Sequence, residues 1–259
     1  LHKMITKAPG YLFITTLSSV FSLALYAAPL APQLTFEKGN LLYDNALASA
    51  TDVANWVMEG SGETQFNDGW MQMHSPDEQG HHVFWCPQDF PDSFIAQWQV
   101  QNLKFDAGLV IVFLAAKGVN GADIFDSTLP KRDGTFDQYT LGKIKSYHIS
   151  YYANAAHNPD RAHANLRKNN TFSLLQEGEK GIPTLSEQIH TVTMVKNHDH
   201  IQLYIDERKV IDYKDNQPIV DGVDTGAPLS DGKIGFRQMQ WTKFQYRNFK
   251  VWELVPSQP

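Results

Sequence analysis

The stretch Ser146–Asn170, SYHISYYANAAHNPDRAHANLRKNN, holds three tyrosines, three histidines, two arginines and five asparagines. His and Tyr move protons near neutral pH when a protein tunes them. Arg161 and Arg167 keep their charge and grip carboxylate or sulfate through two parallel hydrogen bonds. Asn154, Asn158 and Asn165 offer planar amides to hydroxyl groups. Rings with planar polar groups suit a sugar, whose C–H faces want an aromatic plane and whose hydroxyls want fixed partners. The alternative is a loop that packs on itself, its asparagines spent on turns.

The first seven residues alternate as a strand, with Tyr147, Ile149 and Tyr151 on one face and His148, Ser150 and Tyr152 on the other. The rest of the stretch reads as a polar loop. His148, Tyr152 and His157 are the acid/base candidates. His148 and Tyr152 stand roughly 13 Å apart along a strand rising ~3.3 Å per residue, so they flank a substrate and do not touch. Ser150, Asn154, Asn158, Arg161, Asn165 and Arg167 are the binding candidates. His82, Trp85, Gln238 and Trp241 join them if their strands neighbour this one, and His82 also competes for the role of base.

Other chemistries find less support. The Glu-x-Asp-x-(x)-Glu strand of retaining glucanases is absent; Asp123, Asp126, Glu177 and Glu179 are closely spaced acids in apparent loops. A carboxylate pair assembled from separate strands would still permit hydrolysis. His81-His82 and His198-Asp199-His200 lack a third zinc ligand, so no metal residues are assigned. No cofactor is implied with certainty; Asp123 and Asp126 are the loop acids available to a structural calcium. Phosphate-cradling glycine loops and the G-x-S-x-G elbow do not occur. Cys86, the one cysteine, allows no internal disulfide and sits among apolar neighbours as a buried thiol.

These residues need strands to hold them. Turn signals separate short segments at Trp70–His74, Val83–Cys86, Phe94–Leu103, Leu109–Ala116 and Tyr147–Tyr152. Phe94, Ala96, Trp98 and Val100 alternate with Gln97, Gln99 and Gln101, and Leu109–Ala116 is apolar on both faces, as in a strand covered twice. The C-terminal third parses as three strands with turns at Asn197-His198-Asp199 and Asp206-Glu207-Arg208. Two closing strands come next, with Phe244, Tyr246, Phe249, Val251 and Trp252 toward a core and an irregularity near Arg247-Asn248. This predicts an all-β sandwich of two antiparallel sheets with little helix, in one domain from residue 33 to 255.

Residues 1–31 read as a secretory signal peptide: Lys3 and Lys7, an apolar run from Tyr11 to Ala28, then small residues. An uncleaved membrane anchor is the alternative. Removal leaves twenty basic against twenty-eight acidic side chains, a net charge near −8, which disfavours a nucleic-acid partner. The mature protein is expected in the periplasm or outside the cell, without stable membrane association.

The I-Q-L-Y-I-D hairpin, G-K-I-G-F-R and the closing Y-R-N-F-K-V-W strand resemble the concanavalin A-like lectin/glucanase jelly roll. With SYHISYYAN, NLRKN, GIP and GFRQMQ, most of the chain is similar to the YesU-like domain family of that superfamily. The resemblance implies a role in breaking down acidic polysaccharide such as rhamnogalacturonan or ulvan. It also implies an open sheet face holding the ligand, toward which His148, Ser150 and Tyr152 would point. The expected activity is lyase or dehydratase elimination on a uronate-containing oligosaccharide. A non-catalytic carbohydrate-binding protein, or a hydrolase with dispersed carboxylates, stays open.

Overall fold

The computed structural model describes residues 36–106, 108–154 and 161–256, all within one compact unit. Residues 1–31, read above as a signal peptide, and the site candidates His157 and Asn158 lie outside the described residues.

In chain order the strands are β1 (Phe36–Asn45), β2 (Val57–Gly60), β3 (Glu63–Asn67), β4 (Trp70–His74), β5 (His82–Phe90), β6 (Ser93–Asn102), β7 (Gly108–Gly118), β8 (Ile144–Asn154) and β9 (His163–Asn169). They continue as β10 (Ser173–Lys180), β11 (His190–Asn197), β12 (His200–Ile205), β13 (Arg208–Lys214), β14 (Ile219–Val220), β15 (Val223–Asp224), β16 (Gly232–Gln238) and β17 (Phe244–Pro256). One helical turn, α1 (Asp137–Thr140), lies in the β7–β8 connection.

Two antiparallel sheets face each other. The eight-stranded sheet runs β13-β12-β11-β6-β17-β4-β3, with β1 added on β17; the seven-stranded sheet runs β10-β9-β8-β7-β16-β5-β2. The all-β sandwich with little helix is therefore what the chain adopts. Its core is the layer between the sheets, where Trp98 of β6 meets Phe236 of β16 at 5.3 Å and Tyr151 of β8 at 6.1 Å. The alternation predicted for β6 holds, with Phe94, Ala96, Trp98 and Val100 in this core. Cys86 is buried in it, and burial pushes its thiol up to about 11.

The seven-stranded sheet is covered on its other face as well. Val83, Trp85, Ile111, Phe113 and Ile144 form a second apolar cluster with Ile124 and Tyr139 from the β7–β8 connection. That cover explains why β7 is apolar on both sides. At Gly235 the fit is so close that a Cβ would stand 2.4 Å from the Trp85 ring.

Two elements depart from expectation. The polar segment after residue 160 is not all loop: His163–Asn169 is strand β9, with Ala164 and Leu166 inward and Asn165 and Arg167 outward. Trp252 lies outside the main core, in a small cluster with Ile95 and Val195, under the Lys38 ammonium at 3.8 Å. The register shift between Arg247 and Lys250, with Asn248 at φ 56°, is the predicted irregularity, and it changes which face the subsequent side chains take.

Candidate functional site: the outer face of the seven-stranded sheet

Strand register assembles the site. On the face away from the core, β8 and β9 place three pairs side by side: Ser146 with Asn169, His148 with Arg167, and Ser150 with Asn165. The His148 row continues through Phe113 to Gly235 and Trp85, and the Ser150 row through Ile111 to Arg237 and Val83. Period-two geometry puts every side chain of a row on one surface.

His148 lies at the centre, only 3% exposed. Its Nδ1 shares a hydrogen bond with the Asn169 amide nitrogen at 3.1 Å, and that same amide donates to Ser146 Oγ at 3.0 Å. Rings of Phe113, Phe172 and Phe136 surround it at 5.7, 5.8 and 6.4 Å. Burial lowers its pKa to about 3, reinforced by the positive charges of Arg167, Arg237 and Arg161. The imidazole is therefore neutral throughout the physiological range.

Three guanidinium groups thus converge on one neutral base. Arg167 stacks on the Phe172 ring at 4.2 Å and donates to the Phe172 carbonyl at 3.0 Å. Phe172 adopts φ 55°, a strained conformation for a bulky residue, which fixes the ring beneath that guanidinium. Arg237 is fully buried between Phe136 and Tyr139, with centroids at 5.2 and 4.9 Å. It donates to the Gly134 carbonyl at 2.8 Å and to Met239 Sδ at 3.1 Å. Arg161 is half-buried, and among the described residues no carboxylate forms a salt bridge with Arg161, Arg167 or Arg237. Such a cluster suits an anionic ligand.

Unmade hydrogen bonds mark the same surface. Ser150 Oγ, Asn165 Oδ1, Asn169 Oδ1 and one terminal nitrogen of Arg237 are buried without a partner among the described residues. Ser150 and Asn165 are register neighbours, Asn169 lies two rows along β9, and Arg237 stands two strands across in the Ser150 row; each such atom costs about 1–3 kcal/mol until it finds a partner.

The carboxylates of this face are placed differently. Glu59 accepts from Trp85 Nε1 at 2.9 Å and pairs with Arg132 at 2.6 Å. Glu177 sits across from Asn165 on β10, at the opposite edge. Six strand spacings separate the two, roughly 29 Å at ~4.8 Å each. Paired glycosidase carboxylates stand about 5–9.5 Å apart. Asp89 and Asp123 do approach one another, but both bind Lys233 Nζ, at 3.0 and 2.8 Å. Burial pushes the Asp123 carboxyl up, yet the hydrogen bond and charge of Lys233 outweigh it and hold the group below its ordinary value, unsuited to act as an acid. Asp123 also accepts from the Phe125 amide and Asp126 from Thr128, so these acids close their own turns. Among the described residues no three His, Cys, Asp or Glu side chains gather as metal ligands.

The fold brings together His148, Ser150, Asn165, Arg161 and Arg167 from the predicted set and corrects the placement of others. Tyr152 points into the core, not to the outer face. Between the Val110–Tyr152 and Ile111–Ser150 pairs, β8 carries one extra residue, Tyr151, and this bulge turns Tyr152 inward. There it accepts from Asn102 at 2.9 Å and packs on Phe244 at 4.9 Å. His82 also faces inward and bonds Ser75 Oγ at 2.8 Å, with burial holding its pKa near about 3. Gln238 is interior, donating to the Tyr246 hydroxyl at 3.1 Å. Trp85 is on the outer face but sealed beneath the β7–β8 connection, so it offers no platform for a sugar. Asn154 ends β8 and donates to the Phe105 carbonyl at 2.6 Å. Trp241 is exposed elsewhere, lining a cleft of about 350 Å³ with His74, Lys104 and Lys243.

Sequence reasoning passed over Arg237, Asn169, Phe136 and Phe172. Arg237 had a usable signal: Ile234 and Phe236 are apolar, so alternation sends Gln238 inward with them and Arg237 outward. Phe136 and Phe172 lie in connections, where no periodicity announces a direction.

Fold and face together define a lectin-like jelly-roll sandwich with an arginine-rich sheet surface. The chain belongs to the DUF1961 family, a domain family of unknown function whose model matches residues 40–251. It is 35% identical over 224 residues to the uncharacterized protein YesU of Bacillus subtilis, covering 85% of this chain and 99% of that protein. A crystal structure of a protein of unknown function with a galectin-like fold, also from Bacillus subtilis, superposes with a TM-score of 0.80 at 34% identity, over 86% of this chain and all of that one. The exoplasmic/lumenal domain of VIP36 in its Ca2+/Man3GlcNAc-bound form matches at TM-score 0.54 and 10% identity, over 85% of this chain and 93% of that one, a likeness of fold alone.

Proposed function

We propose that the outer face of the seven-stranded sheet binds an acidic oligosaccharide and that the protein acts on it by elimination. The observation that carries this reading is the convergence of Arg161, Arg167 and Arg237 on neutral His148. The half-buried rings of Phe136 and Phe172 offer edges and faces to a pyranose, while Ser150 and Asn165 offer hydrogen bonds to its hydroxyls. That a related fold carries an oligosaccharide, in the VIP36 domain, is consistent with sugar as the ligand.

In the reaction, Arg161 and Arg167 hold the uronate carboxylate. His148 takes the proton α to it, and the guanidinium groups stabilise the enolate-like intermediate. The His148 imidazolium gives that proton to the leaving oxygen as its bond to the neighbouring carbon breaks, and a conjugated double bond forms. A base of pKa about 3 is weak. A bound carboxylate offsets the arginine charges that depress it, so the substrate itself strengthens the base. Tyr152, enclosed in the core, is not given the role of acid here.

Incubation with uronic-acid oligosaccharides, followed by ultraviolet absorbance and mass, tests the proposal. A new chromophore with loss of one water indicates dehydration; a chromophore with chain cleavage indicates a lyase. Gain of one water without a chromophore would replace elimination by hydrolysis. Binding with no change of mass favours the second reading, a carbohydrate-binding protein, which the burial of His148 also supports. We place the protein in the periplasm or outside the cell, on the strength of residues 1–31.

A further inference from the structure

A second constellation stands apart from that face, where the β10–β11 connection meets the β12–β13 turn. Ser186 Oγ lies 2.6 Å from His190 Nε2, and His190 Nδ1 lies 2.5 Å from Asp206 Oδ2. The other oxygen of Asp206 accepts from the Thr191 amide at 2.8 Å, so the carboxylate is held at both ends. This fixes the tautomer. An ionised carboxylate only accepts, so Nδ1 carries the hydrogen and Nε2 is left as an acceptor for the Ser186 hydroxyl.

The serine is also fixed. Its Oγ accepts from the Gln188 amide at 3.2 Å while its hydrogen points to His190, leaving one lone pair for attack. Its own amide donates to the Pro183 carbonyl at 3.1 Å. The loop is tied down on either side: Gln101 donates to the Glu187 carbonyl at 2.8 Å and Tyr152 to the Thr184 carbonyl at 3.3 Å. His190 is buried, whereas Leu185, next to Ser186, and Ile189, next to His190, are 76% and 44% exposed. The amide of Glu187, next after the serine, forms no hydrogen bond among the described residues.

We propose that Ser186, His190 and Asp206 form a hydrolytic triad for short-chain acyl esters. Ser186 Oγ attacks the ester carbonyl as His190 Nε2 takes its proton. The Glu187 amide faces the oxyanion, and the acyl chain lies on Leu185 and Ile189. The carbon–oxygen ester bond breaks, and the alcohol leaves with the proton from His190. Water, deprotonated by the same nitrogen, then releases the carboxylic acid and restores the serine. Asp206 is a positioning residue: it orients the imidazole and steadies the imidazolium.

The test uses the full chain with p-nitrophenyl acetate as substrate and a fluorophosphonate as covalent probe. The expected result is catalytic turnover, with the probe's mass added at Ser186 by peptide mapping. S186A should abolish both. D206N, which misdirects the tautomer, should lower kcat at least about a hundredfold while KM changes less than about twofold. Thermal melts of both variants establish that they fold. Turnover in S186A equal to that of the parent chain, labelling at another residue, or no turnover and no label in the parent would overturn the proposal. Arg167→Ala should leave the esterase rate unchanged; a parallel loss would place the activity at the sheet face instead.

Discussion

Neutral His148 faces three positive charges, so the ionisation of this one side chain reports on whatever binds beside it. Burial comes first among the causes of its low pKa and Arg167 second. Nuclear magnetic resonance of the imidazole should therefore show its pKa rising from about 3 when a uronate binds, and rising by a smaller amount in Arg167→Ala without ligand. An unmoved titration in both cases would mean that no anion reaches the cluster. Arg167→Ala should also weaken charged oligosaccharides about tenfold or more, the value of one charge-assisted pair, and neutral ones far less. Calorimetry with a matched pair of sugars measures this; equal losses contradict the anion site.

A single extra residue in β8 keeps the Tyr152 hydroxyl off the outer face. Strict alternation puts Tyr152 beside His148 and Ser150, and the bulge at Tyr151 sends it to Asn102 instead. Tyr152→Phe should accordingly cost about 1–3 kcal/mol in denaturant unfolding, because the buried Asn102 amide loses its acceptor. It should leave turnover on oligosaccharides intact. A collapse of turnover with stability unchanged would return Tyr152 to the site. Strands β6 and β7 were readable from their side-chain patterns because packing on one or two faces imposes those patterns directly. Strand β9 was hidden: its inward positions include Lys168, whose ammonium meets Asp215 at 2.7 Å inside the protein. A buried ion pair looks like surface polarity until its partner, far off in the chain, is known.

Among the described residues two ion pairs are buried on both sides, Arg132–Glu59 and Lys168–Asp215. Lys168 and Asp215 are each 1% exposed, and Tyr147 adds a hydrogen bond to the same carboxylate oxygen at 2.5 Å. Lys168→Met should destabilise the protein by about 3–5 kcal/mol, because it strands a carboxylate in the interior. Chemical denaturation that shows less than about 1 kcal/mol would mean that Asp215 finds water. Two buried histidines contribute to acid stability. His82 and His148 are held near about 3 by burial, against an unfolded value of 6.5. Both are neutral when folded, and the unfolded chain takes up their protons first. Their contribution is thus complete above pH 6.5 and is lost as pH falls toward 3, by roughly 2 kcal/mol per unit between pH 6 and pH 4. Denaturant midpoints that stay flat over that interval would show that the two rings are solvated.

The sequence alone determined the all-β sandwich, the doubly covered β7, the buried Cys86 and the shared strand face of His148 and Ser150, because alternation and turn chemistry act over a few neighbouring residues; the β8–β9 register then set Asn165 and Arg167 beside them. Tertiary structure decided that Tyr152, His82 and Gln238 face inward, that Trp85 is sealed, and that Arg237 joins Arg161 and Arg167. Those outcomes depend on a bulge, on strand neighbours distant in the chain, and on the connection laid across the sheet. None of these leaves a local periodicity to read.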